Sequence, residues 1–297
     1  MLLEGNIGFF MGSKGLNTKQ VGSLFGVNES TVRRWAMSGK IKCSSSAGGH
    51  RKFSFKNIIS FSESNQVSIN PKVLEDSLDR KKNVEDILGC SLNHETDNIE
   101  SILVNLYLSG VTLSIVMDDY IEPVLVQIQK KLDDGEISVA EEHIARKIVS
   151  KSLGNFKNSI TSIGIDSGKN VLCLNLENDI PDLPIDMIQI LLESINFNVD
   201  NCGSHTSIID LKKLLQNKKY HAIFIYMCDR QCCTSTVKDN IKKTNSDLHE
   251  ISLLAKKYNI ALFLGGPSFK NIKSDILKNY NTFSKYSESL LIKDYLH

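Results

Sequence analysis

The side chains best suited to bind a charged partner are basic, and they cluster near the amino end of the sequence. Arg33 and Arg34 are adjacent, and a second basic run, residues 50–52, directly follows two glycines. Arginine pairs with guanine edges and phosphate oxygens, and lysine and histidine donate to phosphate. This chemistry indicates contact with nucleic acid. For His50, a role as an ordinary turn residue is an equal alternative.

A second group of reactive residues is a set of cysteines in the last third of the chain. Cys228, Cys232 and Cys233 are spaced in a way that fits a soft metal ion or the sensing of an oxidant. The simpler interpretation, small residues at a strand end, is favoured here. Since no nucleophile–base pair or other metal-ligand spacing stands out, we expect neither an enzyme nor a bound cofactor.

Charge is distributed unevenly along the 297 residues, although the formal net charge is only +1. Residues 1–62 hold nine lysines and arginines against two acidic residues, whereas the remainder holds 26 against 32. A basic head on an acidic body is typical of nucleic-acid-binding proteins. The absence of a secretion signal and of a long apolar run favours a cytoplasmic, nucleoid-associated protein, with Met1 or Met11 as its start.

Capping residues predict two short helices that position the first basic pair. Asn17 and Thr18 fit the start of one helix, and the second covers residues 29–38. This second helix directs Val32 and Trp35 towards the first and leaves Thr31 and the two arginines more exposed. A helix, a three-residue turn and a second helix form a helix-turn-helix, whose second helix enters the major groove of DNA. The remaining cap residues are Gly26, Asn28 and Gly39.

The residues after these helices predict a small wing. Ile41 fits a short strand, residues 44–49 fit a flexible turn, and residues 50–52 then reach towards phosphates or a minor groove. Phe53 and Phe55 return to the core, and a further helix begins near residue 57.

The run TKQVGSLFGVNESTVRRWAMSGKIKCSSSAGGHRKFSFKNI resembles the winged-helix domain of the MerR and excisionase-like superfamily over about 45 residues. Its "TVRRW" helix and "GGHRKF" wing carry the resemblance. By that resemblance Trp35 belongs to the core. The implied DNA contacts are Thr31, Arg33, Arg34, His50, Arg51 and Lys52.

The middle of the chain predicts a four-helix unit at 76–160, reached through a Ser/Asn-rich linker at 63–75. One apolar stripe runs from Ile121 to Leu132. A second stripe is predicted at Val139, His143, Ile144, Lys147 and Ile148.

The stretch from Leu113 to Leu153 resembles the helical cap of cobalamin-binding domains in regulators of the CarH, CarA and LitR type. That cap carries a Trp-His pair followed, nine residues after the Trp, by a Glu-His pair. Glu142 and His143 match the second pair, whereas Leu132 and Asp133 stand at the first. The resemblance therefore implies that the upper face of a cobalamin site is missing and that Glu142 and His143 are a remnant held by bundle packing.

The last 137 residues, 161–297, predict a doubly wound parallel sheet because strand-like and helical runs alternate. Strands are expected at 169–176, 198–201, 221–227 and 260–264, and helices at 185–196, 208–217 and 238–257. The strand ends carrying Gly203 and the pair Gly265 and Gly266 would line a ligand crevice. His205 is interpreted as an ordinary loop residue.

This half is similar to flavodoxin-like cobalamin-binding domains, whose first βα loop carries a cobalt-ligating His and a Gly beside the nucleotide tail. In register, Pro181 and Pro184 occupy those two positions. Proline has no metal-binding nitrogen, and its fixed φ stiffens a loop. The resemblance thus implies a degenerate domain that has lost ordinary cobalamin binding.

The predicted function is a sequence-specific transcriptional regulator of this MerR type, most simply a cobalamin-independent repressor that binds a double-stranded operator as a homodimer or homotetramer. RNA polymerase or a regulatory protein is a further candidate partner. The alternative is a regulator that senses flavin, haem, a metal or an oxidant in the remodelled pocket.

Overall fold

The computed structural model describes residues 15–45, 49–71, 73, 79–160, 167–177, 183–228 and 240–295. Its contacts divide the chain into two compact units, Met1–Ser162 and Ile163–His297. Within the described ranges, no helix has both the length and the apolar character needed to cross a membrane.

The first unit begins with a small head, defined here as the described residues between 15 and 70. Two helices are joined by a turn at residues 26–28, and three short strands form an antiparallel sheet in the order β1-β3-β2. The Asn17 side chain accepts from the Gln20 N–H and Gly26 ends the first helix in the left-handed region, as predicted. The elements are β1 Leu16–Asn17, α1 Thr18–Phe25, α2 Glu29–Met37, β2 Ser44–Ser45, β3 Arg51–Phe53 and α3 Phe55–Asn65.

Three details of the head differ from the sequence prediction. Asn28 is in the N-cap position of α2, but its side chain makes no capping bond. Ile41 is not a strand residue: its N–H donates to the Trp35 carbonyl and its buried side chain anchors the exit from α2. The strand is Ser44–Ser45 instead. Helix α3 runs to Asn65, so the segment interpreted as a linker from residue 63 begins inside a helix.

Four helical arms follow, as predicted, and the third is interrupted by a π-helical turn. Helix α8 corrects the sequence prediction of its apolar stripe. Val139 and Ile144 are 50% and 41% exposed, and His143 and Lys147 also face solvent. The buried face is Glu142, Ala145, Val149, Leu153 and Phe156. The elements are α4 Arg80–Leu92, α5 Thr96–Leu108, α6 Leu113–Ile115, the π turn Val116–Ile121, α7 Glu122–Asp133 and α8 Val139–Ile160.

The π turn is stabilised from outside its own helix. Pro123 has no N–H to give to the carbonyls one turn before it. The Asp119 carbonyl, four residues earlier, accepts instead from Arg80 Nε at 2.9 Å. The same guanidinium pairs with the Asp119 carboxylate at 3.1 Å. Helix α4 thus supplies a donor that the proline removes.

The second unit is a five-stranded parallel sheet in the order β5-β4-β6-β7-β8 with helices on both faces. The predicted four strands and three helices are confirmed within a few residues, and the fifth strand was not predicted. The elements are β4 Asn170–Leu174, α9 Leu183–Ser194, β5 Asn198–Asn201, α10 Ile208–Asn217, β6 Ala222–Tyr226, α11 Ile241–Tyr258, β7 Ala261–Gly265, α12 Ser274–Leu277, β8 Asn281–Phe283 and α13 Ile292–Tyr295, with 3₁₀ turns at Pro267–Asn271 and Tyr286–Leu291.

The two faces of this sheet have different cores. Alternate residues of β4, β6 and β7 pack with α10 and α11 in an aliphatic cluster. The opposite face is aromatic: the rings of Phe224 and Phe263 stack at 4.4 Å, and Phe283 lies 5.9 Å from Phe224. Tyr226 stacks on Tyr286 at 5.9 Å, so the carboxy-terminal 3₁₀ turn covers this face.

Replacing Arg80 by Met should lower the free energy of unfolding by about 0.5–1.5 kcal/mol, because the Asp119 carbonyl loses its donor. The loss should shrink in a Pro123→Ala background, where the helix regains an N–H. Urea denaturation monitored by circular dichroism measures both effects. The neighbouring Lys81→Met is the control, because its 88% exposed side chain makes only a 3.9 Å ion pair with Glu85. Equal losses for Arg80→Met in both backgrounds would refute this account of the π turn.

Candidate functional site

The head carries a surface of basic side chains, and helix α2 positions two of them. Val32 is fully buried against the head core, whereas Arg33 and Arg34 on the other side of the helix are exposed. Arg33 pairs with Glu29 one turn earlier, at 3.3 Å, with 59% of its side chain still exposed. Thr31 is half-buried. The predicted orientation of α2 is therefore confirmed for both arginines but only partly for Thr31.

Trp35 holds α2 in this orientation through aromatic contacts. Its ring lies 4.7 Å from Phe61 on α3 and 6.1 Å from Phe25 on α1. Trp35 is half-buried, so it packs at the rim of the head core and not at its centre. Aromatic pairs at these distances contribute beyond their buried area, which fixes the angle between α2 and its neighbours.

The short strand β3 presents the second basic run by alternation. Phe53 is fully buried, Lys52 is exposed on the opposite side, and Arg51 is half-buried. Pairing of Lys52 with Asn17 on one side and Ser44 on the other fixes this register. His50 is exposed and follows Gly49, whose φ of 76° is in the left-handed region.

The fold brings the two basic runs together around one groove of about 410 Å³. Arg33 on α2 faces this groove together with His50 and Arg51, which are far away in sequence. Lys19 on α1 joins them, and Glu29 is the acidic group beside them. Sequence analysis missed Lys19 and Glu29 because neither lies in the two basic runs. Arg34 and Lys52 do not line the groove.

The candidate cap residues of the bundle are accounted for by packing. Glu142 is 1% exposed, and its carboxylate pairs with Arg146 one turn later on the same helix. Arg146 also donates to the Leu125 carbonyl at 3.2 Å, which ties α8 to α7. His143 is exposed, with Nε2 3.7 Å from a Glu142 oxygen.

The two positions that replace the expected Trp-His pair are unremarkable surface groups. Leu132 is half-buried at the end of α7. Asp133 is exposed, and its carboxylate accepts from Gln129 Nε2 at 2.9 Å.

The glycine pair at the end of β7 is packed by the protein itself. A Cβ on Gly265 would lie 2.2 Å from the Phe283 ring, and one on Gly266 would lie 2.3 Å from the Met227 carbonyl oxygen. Gly266 also has a φ of 93°. Both positions require glycine for internal packing, which is an alternative to the predicted role in lining a ligand crevice.

The other candidates at this edge of the sheet are partly outside the described residues. Pro181, Cys232 and Cys233 lie outside them. Pro184 is buried within the first turn of α9, where proline is favourable, so it belongs to a helix and not to the predicted loop. Cys228 is buried, and its carbonyl accepts from Ser268 Oγ at 2.9 Å. No cluster able to hold a metal ion occurs among the residues that the structure describes.

An ion-pair network at the same edge was missed by sequence analysis. Lys243 at the start of α11 donates to Glu177, which follows β4, and to Asp247, in both cases at 2.8 Å. These contacts hold the pKa of Glu177 below its usual value and raise that of Lys243. Because Glu177 and Lys243 are distant in sequence, no local pattern signals the pair.

Comparisons with known proteins establish similarity at the level of the fold. No protein-family model matches the sequence, and no curated protein matches it significantly. The monomethylamine corrinoid protein of Methanosarcina barkeri is 11% identical, with a TM-score of 0.54 over 73% of this chain and 99% of that one.

Two further solved structures match with lower TM-scores. The methanol:cobalamin methyltransferase complex MtaBC from Methanosarcina barkeri is 14% identical, with a TM-score of 0.35 over 75% of this chain and 82% of that one. A cobalamin-binding protein from Desulfitobacterium hafniense DCB-2 is 10% identical, with a TM-score of 0.34 over 72% and 98%.

This chain is structurally similar to cobalamin-binding proteins. Its helical region and five-stranded parallel sheet are consistent with a four-helix bundle followed by a Rossmann-like B12-binding domain. That coarse part of the sequence prediction is confirmed. The likeness concerns the fold alone, since the identity is 11%.

Gly265→Ala should lower the free energy of unfolding of the ligand-free protein by about 1–3 kcal/mol, because the new methyl group overlaps the Phe283 ring. Adding Phe283→Leu should recover part of the loss. Urea denaturation monitored by circular dichroism provides the measurement. Gly154→Ala on α8 is the matched control: its Cβ would contact nothing within 4 Å, so it should stabilise the helix by roughly 0.4–1 kcal/mol. A Gly265→Ala protein as stable as the wild type would reassign this glycine to the crevice.

Proposed function

We propose that this chain is a sequence-specific DNA-binding transcriptional regulator of the MerR type, a repressor that acts without cobalamin. The observation that carries the proposal is the groove of the head, where Arg33 of the second helix lies beside His50 and Arg51 of the wing. A helix-turn-helix presents its second helix to base edges in the major groove. A wing beside it reaches the phosphates that flank the same site.

The electrostatics of the head support this proposal. Lys19, Arg33 and Arg51 line the groove, with Glu29 as its only acidic group. Exposed cations near a duplex release counterions from its phosphates, which provides affinity independent of sequence. Sequence discrimination then falls to the arginines of α2, which have the geometry for bidentate pairing with guanine.

The residues at the strand ends do not fit the nucleotide tail of cobalamin. Pro181 stands at the position that the resemblance assigns to the lower cobalt ligand, and proline has no nitrogen able to coordinate a metal. The space beside Gly265 is filled by Phe283, and that beside Gly266 by the backbone of Met227. We therefore derive no step of the proposed function through a corrin.

The bundle and the sheet unit are proposed to serve self-association. One head of this size buries limited surface on DNA and is expected to bind an operator weakly. Two linked heads turn the second contact into an intramolecular one and raise the overall affinity by orders of magnitude. A homodimer or homotetramer held by protein contacts alone would supply that linkage.

Arg33→Ala, Arg34→Ala and Arg51→Ala should each weaken binding to a duplex selected from a random-sequence pool. Each lost base contact costs roughly 1–3 kcal/mol, or about 5- to 150-fold in Kd. Glu29→Gln should strengthen binding, because it removes a negative charge and releases Arg33 from its ion pair. Fluorescence anisotropy at fixed salt concentration measures all four variants.

Lys151→Ala is the matched control for this series, since Lys151 is an exposed cation on bundle helix α8. It should bind the duplex as the wild type does. Wild-type affinity in all three arginine variants would contradict the proposed function.

The apoprotein should form its oligomer without cobalamin, and adenosylcobalamin should not change it. Sedimentation equilibrium at micromolar protein, with and without the cofactor, tests both statements. A stoichiometric coloured complex, or a change of mass in the light, would refute the assignment at Pro181, Gly265 and Gly266. A monomer that binds the selected duplex tightly would refute self-association as the role of the carboxy-terminal two-thirds.

A further inference from the structure

Helix α3 belongs to two cores at once. Phe61 faces the head, where its ring contacts Phe25 at 5.5 Å and Trp35 at 4.7 Å. Glu63, two residues later, is rotated by about 200° around the helix and therefore lies on nearly the opposite side. On that side α3 packs against bundle helices α5 and α8. A single helix thus connects the second helix of the head to the bundle.

The contact on the bundle side includes a directed hydrogen bond. Tyr107 on α5 donates its hydroxyl to Glu63 Oε1 at 3.1 Å. Behind it, the Tyr107 ring meets the fully buried Phe156 of α8 edge-to-face at 6.1 Å. Burial together with the Glu63 carboxylate raises the pKa of the Tyr107 hydroxyl to about 12, so it remains a donor throughout the neutral range.

The segment after α3 closes the connection onto the first helix. Ile69 is buried, and the Asn70 N–H donates to the Leu24 carbonyl of α1 at 2.8 Å. The head is thereby held at both ends of α3. An apolar contact can slide, whereas a hydrogen bond has a preferred distance and direction. The bond between Tyr107 and Glu63 is thus suited to set the rotation of α3.

We infer that Tyr107 and Glu63 are positioning residues for DNA binding: through α3 and Phe61 they set the orientation of α2 relative to the bundle. The inference rests on the proposed function for its consequence, but the orientation of α2 has its own reporter. Trp35 is the only tryptophan of the chain and lies on α2 in contact with Phe61. Its fluorescence therefore reports on the packing of α2 separately from any DNA measurement.

The test uses the full-length chain and the variant Tyr107→Phe, which keeps the ring on Phe156 and removes only the hydroxyl. Acrylamide quenching of Trp35 should increase, and Kd for the selected duplex should rise about three- to tenfold, as expected for the loss of one hydrogen bond. Glu63→Leu should have the same effect, whereas Glu63→Gln keeps an acceptor and should behave as the wild type. The double variant Tyr107→Phe/Glu63→Leu should be no worse than either single variant.

Tyr258→Phe, on the sheet unit, is the matched control and should alter neither readout. Unchanged Trp35 quenching in Tyr107→Phe and Glu63→Leu would overturn the inference, whatever their stability. If duplex binding is absent even in the wild type, the proposed function fails, while the quenching series still decides whether the bond positions α2. If wild-type binding is tight and both variants bind equally well, the proposed function stands and the positioning role is refuted.

Discussion

The requirement that helix α3 satisfy two cores governs the arrangement of the first unit. Its Phe61 side completes the aromatic cluster of Trp35 and Phe25, without which α2 would have little to pack against. Its opposite side rests on the bundle and exchanges a hydrogen bond with Tyr107. Since a helix is stabilised mainly by burial of its faces, neither half of this unit is independent of the other. The basic groove is a surface consequence of that shared packing.

Local signals predicted the parts of the fold that local physics decides. Asn17 and Gly26 bound α1 because their capping preferences act within one turn, and the apolar run of β6 identified a doubly buried strand. Strand β8 was missed because Asn281–Phe283 is short and is a strand only through pairing with β7. The stripe of α8 was assigned to the wrong face because Glu142, a carboxylate, occupies a buried position that Arg146 makes tolerable. Hydrophobic periodicity contains no information about such a pair.

The candidate sites divide in the same way. The exposure of Arg33 and Arg34 follows from helical periodicity, but their convergence with Lys19, His50 and Arg51 depends on the tertiary fold. At the other end of the chain, a glycine pair that matches a ligand-binding pattern is required by Phe283 and Met227. A glycine reports that something approaches the backbone closely, and only coordinates reveal what it is. The link between Glu177 and Lys243 has no sequence signature, because ion pairs between distant segments follow from topology.

The π turn at Val116–Ile121 has a consequence for how this chain tolerates changes of length. A π turn accommodates one residue more than an α turn, so this stretch can absorb a single-residue insertion without displacing the capped ends of the arm. Val124, Leu125 and Ile128 face the core only because that additional residue is present upstream. Removing it would rotate α7 by about 100° and turn this apolar stripe away from its partners. Indels among relatives of this bundle should therefore concentrate in the loops and avoid residues 116–121, unless the stripe on α7 shifts register with them.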